Sequence, residues 1–159
     1  MIFAIFGTSP YSFDRLAKAL EKLASGTGER IVAQLGHTRY KPAGVENFDF
    51  LPYPDIMAYI EQADLVVTQG GFGGIMDCIK AGKPVVAVPR MLEHGELTDR
   101  PNGQLELVRE LDREGKVTGC FDLDALEEHV RKARSTDKNE RVSSDIPSIV
   151  KKFVERTLS

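Results

Sequence analysis

Short apolar runs alternate along this chain with longer stretches whose apolar positions recur every three or four residues. That is the pattern of strands alternating with amphipathic helices. Ile2 to Phe6 is a continuous apolar run and predicts a first strand, buried on both faces. Ser9 and Pro10 then suit a helix N-cap and a first helical position, and Phe13, Leu16, Leu20 and Leu23 fall on one face of the helix they open. Ile31 to Leu35 predicts a second strand, ended by Gly36, and Phe48 to Leu51 a short third one. Pro54 opens a helix carrying Met57, Ile60 and Ala63 on its apolar side. Leu65 to Thr68 is a strand broken by Gly70 and Gly71, and the next helix runs from Gly73 to Ala81, closed by Gly82.

Val85 to Val88, between two prolines, predicts a fifth strand. A polar loop extends to about Gly103, and Leu105, Val108 and Leu111 then mark a helix. Val117 starts a last short strand, and Leu123 to Ala133 reads as a helix with Asp122 at its cap. Residues 134–144 are polar and aperiodic, which predicts a linker. A terminal helix from Ile146 to Leu158 has Ile146, Ile149, Val150, Phe153 and Val154 on one face and Lys151, Lys152 and Arg156 on another. Packing on the domain core is its default role, with docking to a partner or to a membrane surface as the alternatives. The expected organisation is an α/β domain over residues 1–133, a linker over 134–144 and a C-terminal amphipathic helix over 145–159. The fold class is Rossmann-like, a parallel sheet with helices on both faces, and in such sheets ligands sit outside the carboxyl ends of the strands.

Composition narrows the function classes. The chain has 159 residues, 42% of them apolar, enough for one core. Its formal net charge of -3 argues against a nucleic-acid partner, because that affinity comes from neutralising phosphates with Lys and Arg. No stretch approaches the roughly 20 apolar residues of a membrane span. The apolar N-terminus lacks a basic leader and runs straight into Gly7-Thr8-Ser9, so it reads as a strand rather than a signal peptide. Cys78 and Cys120 lack metal spacing and read as reduced thiols. The expected setting is cytoplasmic.

Two glycine clusters follow strands, Gly7-Thr8-Ser9 and Gly70-Gly71-Phe72-Gly73-Gly74. A helix N-terminus offers unpaired N–H groups and partial positive charge, and glycines let a phosphate come close to the backbone. A pyrophosphate is therefore the ligand expected at the second cluster, against the plainer reading of a tight turn. Neither cluster is followed by the Lys-Ser or Lys-Thr of a P-loop, and the dinucleotide glycine fingerprint is absent after the first strand. Asp77, placed by this reading in the first turn of the helix, could accept from a ribose diol or simply complement the helix dipole. Gln104 could donate to sugar hydroxyls from the loop that opens the later helix. His37, His94 and His129 show neither metal nor triad spacing.

Taken together the motifs resemble the C-terminal domain of glycosyltransferase family 28, especially its short stand-alone members in exopolysaccharide and capsule synthesis. More distantly they resemble the catalytic subunit that adds N-acetylglucosamine to dolichol-linked sugar. The residues that carry the resemblance are Gly7-Thr8 with Phe13-Asp14-Arg15-Leu16, Phe50-Leu51-Pro52-Tyr53, and Ala63 to Thr68. They continue through Gly70-Gly71 to Ile75-Met76-Asp77, Ala81 to Pro84, Val88-Pro89-Arg90, Gly95-Glu96 and Gln104-Leu105-Glu106. The chain departs from the family pattern at Gln69 (usually His), Gly74 (usually Ser or Thr), Asp77 (usually Glu) and in the loop 100–104.

The resemblance implies the C-terminal half of a GT-B glycosyltransferase. It implies a UDP-sugar as substrate, with no cofactor and no metal, and transfer with inversion. Gly7, Thr8, Gly70, Gly71, Gly73 and Gly74 would hold the donor diphosphate, Asp77 the ribose, and Gln104 with Asn102 the donor sugar; Gln69 and Arg90 are further candidates. The general base and the lipid-linked saccharide acceptor would come with a membrane-associated partner subunit, which would recruit this chain to the inner face of the membrane. The alternative is a non-catalytic nucleotide-sugar-binding or regulatory module on the same scaffold, suggested by the missing His and Ser.

Overall fold

A computed structural model describes residues 1–97 and 103–136 of the chain. Six parallel strands form one sheet: β1 (Ile2–Ile5), β2 (Ile31–Gln34), β3 (Glu46–Phe48), β4 (Leu65–Gln69), β5 (Val85–Val88) and β6 (Thr118–Gly119). Their order across the sheet is β3-β2-β1-β4-β5-β6. The helices are α1 (Asp14–Thr27), α2 (Tyr53–Gln62), α3 (Phe72–Lys80), α4 (Gly103–Arg113) and α5 (Leu126–Ser135). Single 3₁₀ turns cover Leu92–His94 and Leu123–Ala125.

The period-2 geometry of β1 divides the core. Ile2, Ala4 and Phe6 point to one face, where they meet Leu16, Leu20 and Leu23 of α1 and Val130 of α5. Phe3 and Ile5 point to the other, among Ile60 of α2, Ile75 and Ile79 of α3 and Val108 of α4. Both faces being covered explains why the strands are apolar throughout rather than alternating. The two cysteines are free and buried, Cys78 in one core layer and Cys120 in the other.

Several boundaries differ from the sequence expectation for identifiable reasons. The first helix starts at Asp14, not at Pro10; Ser9 caps nothing helical and its hydroxyl accepts instead from the N–H of Tyr11. Residues 7–13 stay in a loop because distant groups hold them: the Phe13 N–H donates to Thr38 Oγ1, and the Tyr11 carbonyl accepts from Arg90. The third strand lies at Glu46–Phe48, two residues ahead of the expected segment and sharing only Phe48 with it. Pairing with β2 ends there, and Leu35 and Gly36 beyond it bond the carbonyls of Phe48 and Asp49. Asp122 does cap its helix, but through a 3₁₀ turn, its side chain accepting from the Asp124 N–H. The helix that follows continues past Ala133 to Ser135, since Arg134 is held by Glu29 and Asp64. The expected linker beyond residue 136 and the C-terminal helix lie outside the described residues.

Candidate donor cleft at the switch point of the sheet

The chain leaves β1 toward β2 and β3, then returns to place β4 on the other side of β1. The loops after β1 and β4 therefore diverge and leave a crevice at the carboxyl ends of the strands, the place where ligands bind such sheets. A cleft of about 370 Å³ occupies it. Gly7 and Thr8 line one wall, Gln69, Gly71, Gly73 and Gly74 another, and Phe50, Leu51, Tyr53 and Ile56 a third, apolar side. The cleft is thus polar and glycine-lined beside the switch point and aromatic toward β3.

Gln34 shapes the first wall. Its amide oxygen accepts from the N–H groups of Phe6 (3.2 Å) and Gly7 (3.0 Å), and its nitrogen donates to the carbonyls of Gly7 and Asp49 (3.0 Å each). Gly7 itself has φ of +77°, a conformation that glycine adopts at little cost. The second wall is the start of α3. Gly71 brings no capping side chain and the first turn holds no acidic residue, so the helix carries its N-terminal positive potential with no counter-charge from its own first turn.

Arg90 ties these walls together from behind. It is 2% exposed and stacks 4.8 Å above the ring of Phe13. Its Nη1 donates to the carbonyls of Tyr11 (2.9 Å) and Glu96 (3.2 Å), its Nη2 to that of Phe6 (2.9 Å), and its Nε to Oε1 of Gln69. Burial pulls its guanidinium down to about 10, with the nearby Glu96 carboxylate opposing that. Glu96, also buried, accepts from Nε and Nη2 of Arg15 (3.1 and 2.9 Å) and from the N–H of Met91.

The sequence-predicted site residues thus separate into groups. Gly7, Thr8, Gln69, Gly71, Gly73 and Gly74 converge on one cleft. Gly70 does not line it; a Cβ there would come within 3.0–3.1 Å of Gln104, Val108 and Pro89, so the residue is a glycine because α4 packs on it. Arg90 does not face the cleft either, since its bonds go to carbonyls and to Gln69. Gln104 lies across Gly70, its amide oxygen holding the Arg90 N–H at 2.9 Å. Asp77 is in the second turn of α3 rather than the first, where its carboxylate accepts from the Tyr53 hydroxyl at 3.1 Å. Asn102 lies outside the described residues.

Sequence reasoning missed Gln34, Tyr53 and the aromatic lobe of the cleft, although Phe50 and Tyr53 do stand out as large apolar residues flanking a proline. One further feature sits beneath the cleft. The Thr68 hydroxyl is buried without a hydrogen-bond partner, 3.4 Å from where a Cβ at Gly74 would stand. Among the described residues no group of three His, Cys, Asp or Glu side chains is placed to hold a metal ion, and no helix is long and apolar enough to cross a membrane.

The chain is similar to known proteins over most of its length. The family model described as "Glycosyltransferase family 28 C-terminal domain" matches residues 10–156. Human UDP-N-acetylglucosamine transferase subunit ALG13 is 32% identical over 130 residues, covering 75% of this chain and 11% of the human protein. The subunit of the same name from Candida albicans is 29% identical over 93 residues, 57% of this chain and 29% of that protein. The chain therefore spans about a tenth of one of these relatives and under a third of the other. Among solved structures, an NMR structure of ALG13 superposes with a TM-score of 0.63 at 19% identity, covering 99% of this chain and 96% of the other. The kitacinnamycin glycosyltransferase superposes with a TM-score of 0.61 at 20% identity, covering 97% of this chain but only 37% of that enzyme.

Proposed function

The chain belongs to the glycosyltransferase family 28 C-terminal domain family, and on that premise we propose that it is the donor-binding subunit of a two-component glycosyltransferase. It takes a UDP-sugar and, with a membrane-associated acceptor-binding partner, transfers the sugar with inversion to a lipid-linked saccharide in polysaccharide synthesis. The observation that carries the reading is the convergence of two glycine loops and the glycine-rich start of α3 on one cleft. Backbone amides at a helix N-terminus suit a diphosphate, and they would also stabilise the charge that develops on it as it leaves the sugar. The aromatic lobe of Phe50 and Tyr53 offers a surface for the nucleobase, and Asp77 beside it offers acceptors for the ribose.

Gln69 supplies a further donor. Only its amide oxygen can accept from Arg90, so the amide nitrogen turns toward Gly7 and Gly71, and it is the atom nearest to where a Cβ on either glycine would stand. A second polar group at the phosphate position stands here where the family usually has His.

A partner is supported by what this end of the sheet exposes. Among the described residues the exposed large apolar side chains are Tyr11, Phe48, Phe50, Tyr53, Phe72, Leu92 and Phe121. All lie at or beyond the carboxyl ends of strands, and Phe50 and Tyr53 line the cleft itself. An apolar rim of this kind marks an interaction surface. The name of the relatives, a transferase subunit, points the same way.

The experiment is a transfer assay with a UDP-sugar and a lipid-linked acceptor, run with the chain alone and with its acceptor-binding partner. Product formed only when both are present supports the split enzyme. Full activity of the chain alone contradicts it.

A further inference from the structure

Asp77 is not among the residues that line the cleft; Tyr53 is, and its hydroxyl joins the two by donating to Asp77 Oδ1 at 3.1 Å. Tyr53 stands at the first position of α2, with Pro52 before it and Pro54 after it, so its backbone is held where its ring forms the outer wall of the aromatic lobe. Tyr53 is 61% exposed, so the domain core does not require it. The direction of the hydrogen bond matters. A carboxylate can only accept, so the phenol proton points at Asp77 and the phenol lone pairs are left to accept from a ligand. Together the two side chains present acceptors and no donor.

We infer that Tyr53 is a positioning and specificity residue that, with Asp77, reads a vicinal diol at the mouth of the cleft and so selects ribonucleoside over 2′-deoxyribonucleoside diphosphates. This rests on the donor-site reading above, which already sets Asp77 against the ribose, and adds Tyr53 as the second acceptor. A ribose offers two hydroxyl donors, one for the free oxygen of Asp77 and one for the phenol oxygen. A 2′-deoxyribose offers one and leaves an acceptor without a partner. Asp77 is a short acid, and the tyrosine hydroxyl extends the acceptor surface that its carboxylate alone does not bring into the cleft.

The test is calorimetric titration of the full chain with UDP and with 2′-deoxy-UDP, for the wild type, Tyr53→Phe, Asp77→Asn and the double variant. Tyr53→Phe keeps the ring and removes only the hydroxyl. The wild type is expected to prefer UDP, and Tyr53→Phe to bind UDP about three- to tenfold more weakly while 2′-deoxy-UDP changes less. The preference then shrinks, an effect that loss of packing alone does not produce. In the double variant the Tyr53 effect is smaller than in the single one, because the two groups act on the same diol. Tyr53→Phe with wild-type affinity and wild-type preference overturns this inference while leaving the donor site standing. A wild type that binds neither nucleotide overturns the donor-site reading and this inference with it.

Discussion

The guanidinium of Arg90 donates through Nε to the amide oxygen of Gln69, and by doing so fixes which end of that amide faces the glycine loops. The pair joins the end of β4 to the loop after β5, while two further Arg90 bonds reach the carbonyls of Phe6 and Tyr11 in the loop after β1. One buried cation therefore sets the spacing of the three loops around the cleft.

Removing that cation should unfold the cleft before it affects any surface. Arg90→Met leaves the carbonyls of Phe6, Tyr11 and Glu96 and the Gln69 amide oxygen without their donor, at a cost of about 3–5 kcal/mol. Urea unfolding followed by circular dichroism measures this; a loss under about 1 kcal/mol contradicts the role given to Arg90.

Glycines in the cleft separate into those required by folding and those required by a ligand. At Gly73 a Cβ meets nothing within 4 Å, and the residue is helical, so Gly73→Ala should stabilise the chain by up to about 1 kcal/mol. It should nevertheless weaken binding of UDP, because the methyl group occupies the approach to the α3 amides. At Gly7, where φ is +77° and a Cβ runs into the Gln69 amide, alanine should lower both stability and binding. Thermal melts paired with calorimetry distinguish the two behaviours. Unchanged UDP affinity in Gly73→Ala counts against a diphosphate at α3.

Gly74→Ser should raise stability by about 1 kcal/mol. The serine hydroxyl comes within reach of Thr68 Oγ1, which has no partner in the buried layer beneath α3, and a helical glycine is replaced at the same time. Thr68→Val should be nearly neutral in the natural background and should cancel the serine's gain, which a double-mutant cycle reads directly.

Acid should loosen the loop that carries Gly7 and Thr8. Asp14 is held below the ordinary carboxylate range, first by the hydrogen bond from the Ser12 hydroxyl and also by the Tyr40 N–H and the charges of Lys18 and Arg39. A folded pKa below 3.8 means that the unfolded chain takes up the proton first. The contribution of Asp14 is therefore present above that value and is lost as pH falls through the lower, folded one. Unfolding midpoints measured from pH 6 downward should drop less steeply in Asp14→Ala than in the natural chain; equal slopes contradict the assignment.

The order of elements, both covered sheet faces and the two glycine loops are legible in the sequence because each rests on local signals: apolar run length, helical period, and glycines at strand ends. What escapes is set by partners far away along the chain. Nothing near Arg90 announces that it bonds Tyr11 and Phe6, 79 and 84 positions earlier, so it reads as a ligand-binding cation rather than a buried tie. The same long-range bonds keep residues 7–13 out of the helix that Ser9 and Pro10 locally favour. Gly70 looks like Gly71 in sequence, and only the packing of α4 separates a structural glycine from one that lines the cleft. Tyr53 reads as an apolar residue at a helix start, and its bond to Asp77 depends on how α2 and α3 meet.

An apolar rim that serves a partner can be charged without harming the fold. Leu92 is 48% exposed on the 3₁₀ turn after β5, and Leu92→Glu should change the melting free energy by less than about 0.5 kcal/mol while abolishing transfer in the reconstituted pair. Full transfer by this variant removes Leu92 from the interface.

The central claim is that the cleft between the β1 and β4 loops binds a nucleoside diphosphate. It is tested most directly by titrating the ¹⁵N-labelled chain with UDP and following its backbone amides. The account predicts progressive shifts at Gly7, Thr8, Gly71, Gly73 and Gly74, weakened about ten- to a hundredfold in apparent affinity by Asp77→Ala. Amides of the cleft that stay unmoved at millimolar UDP, or shifts confined to the opposite end of the sheet, contradict it.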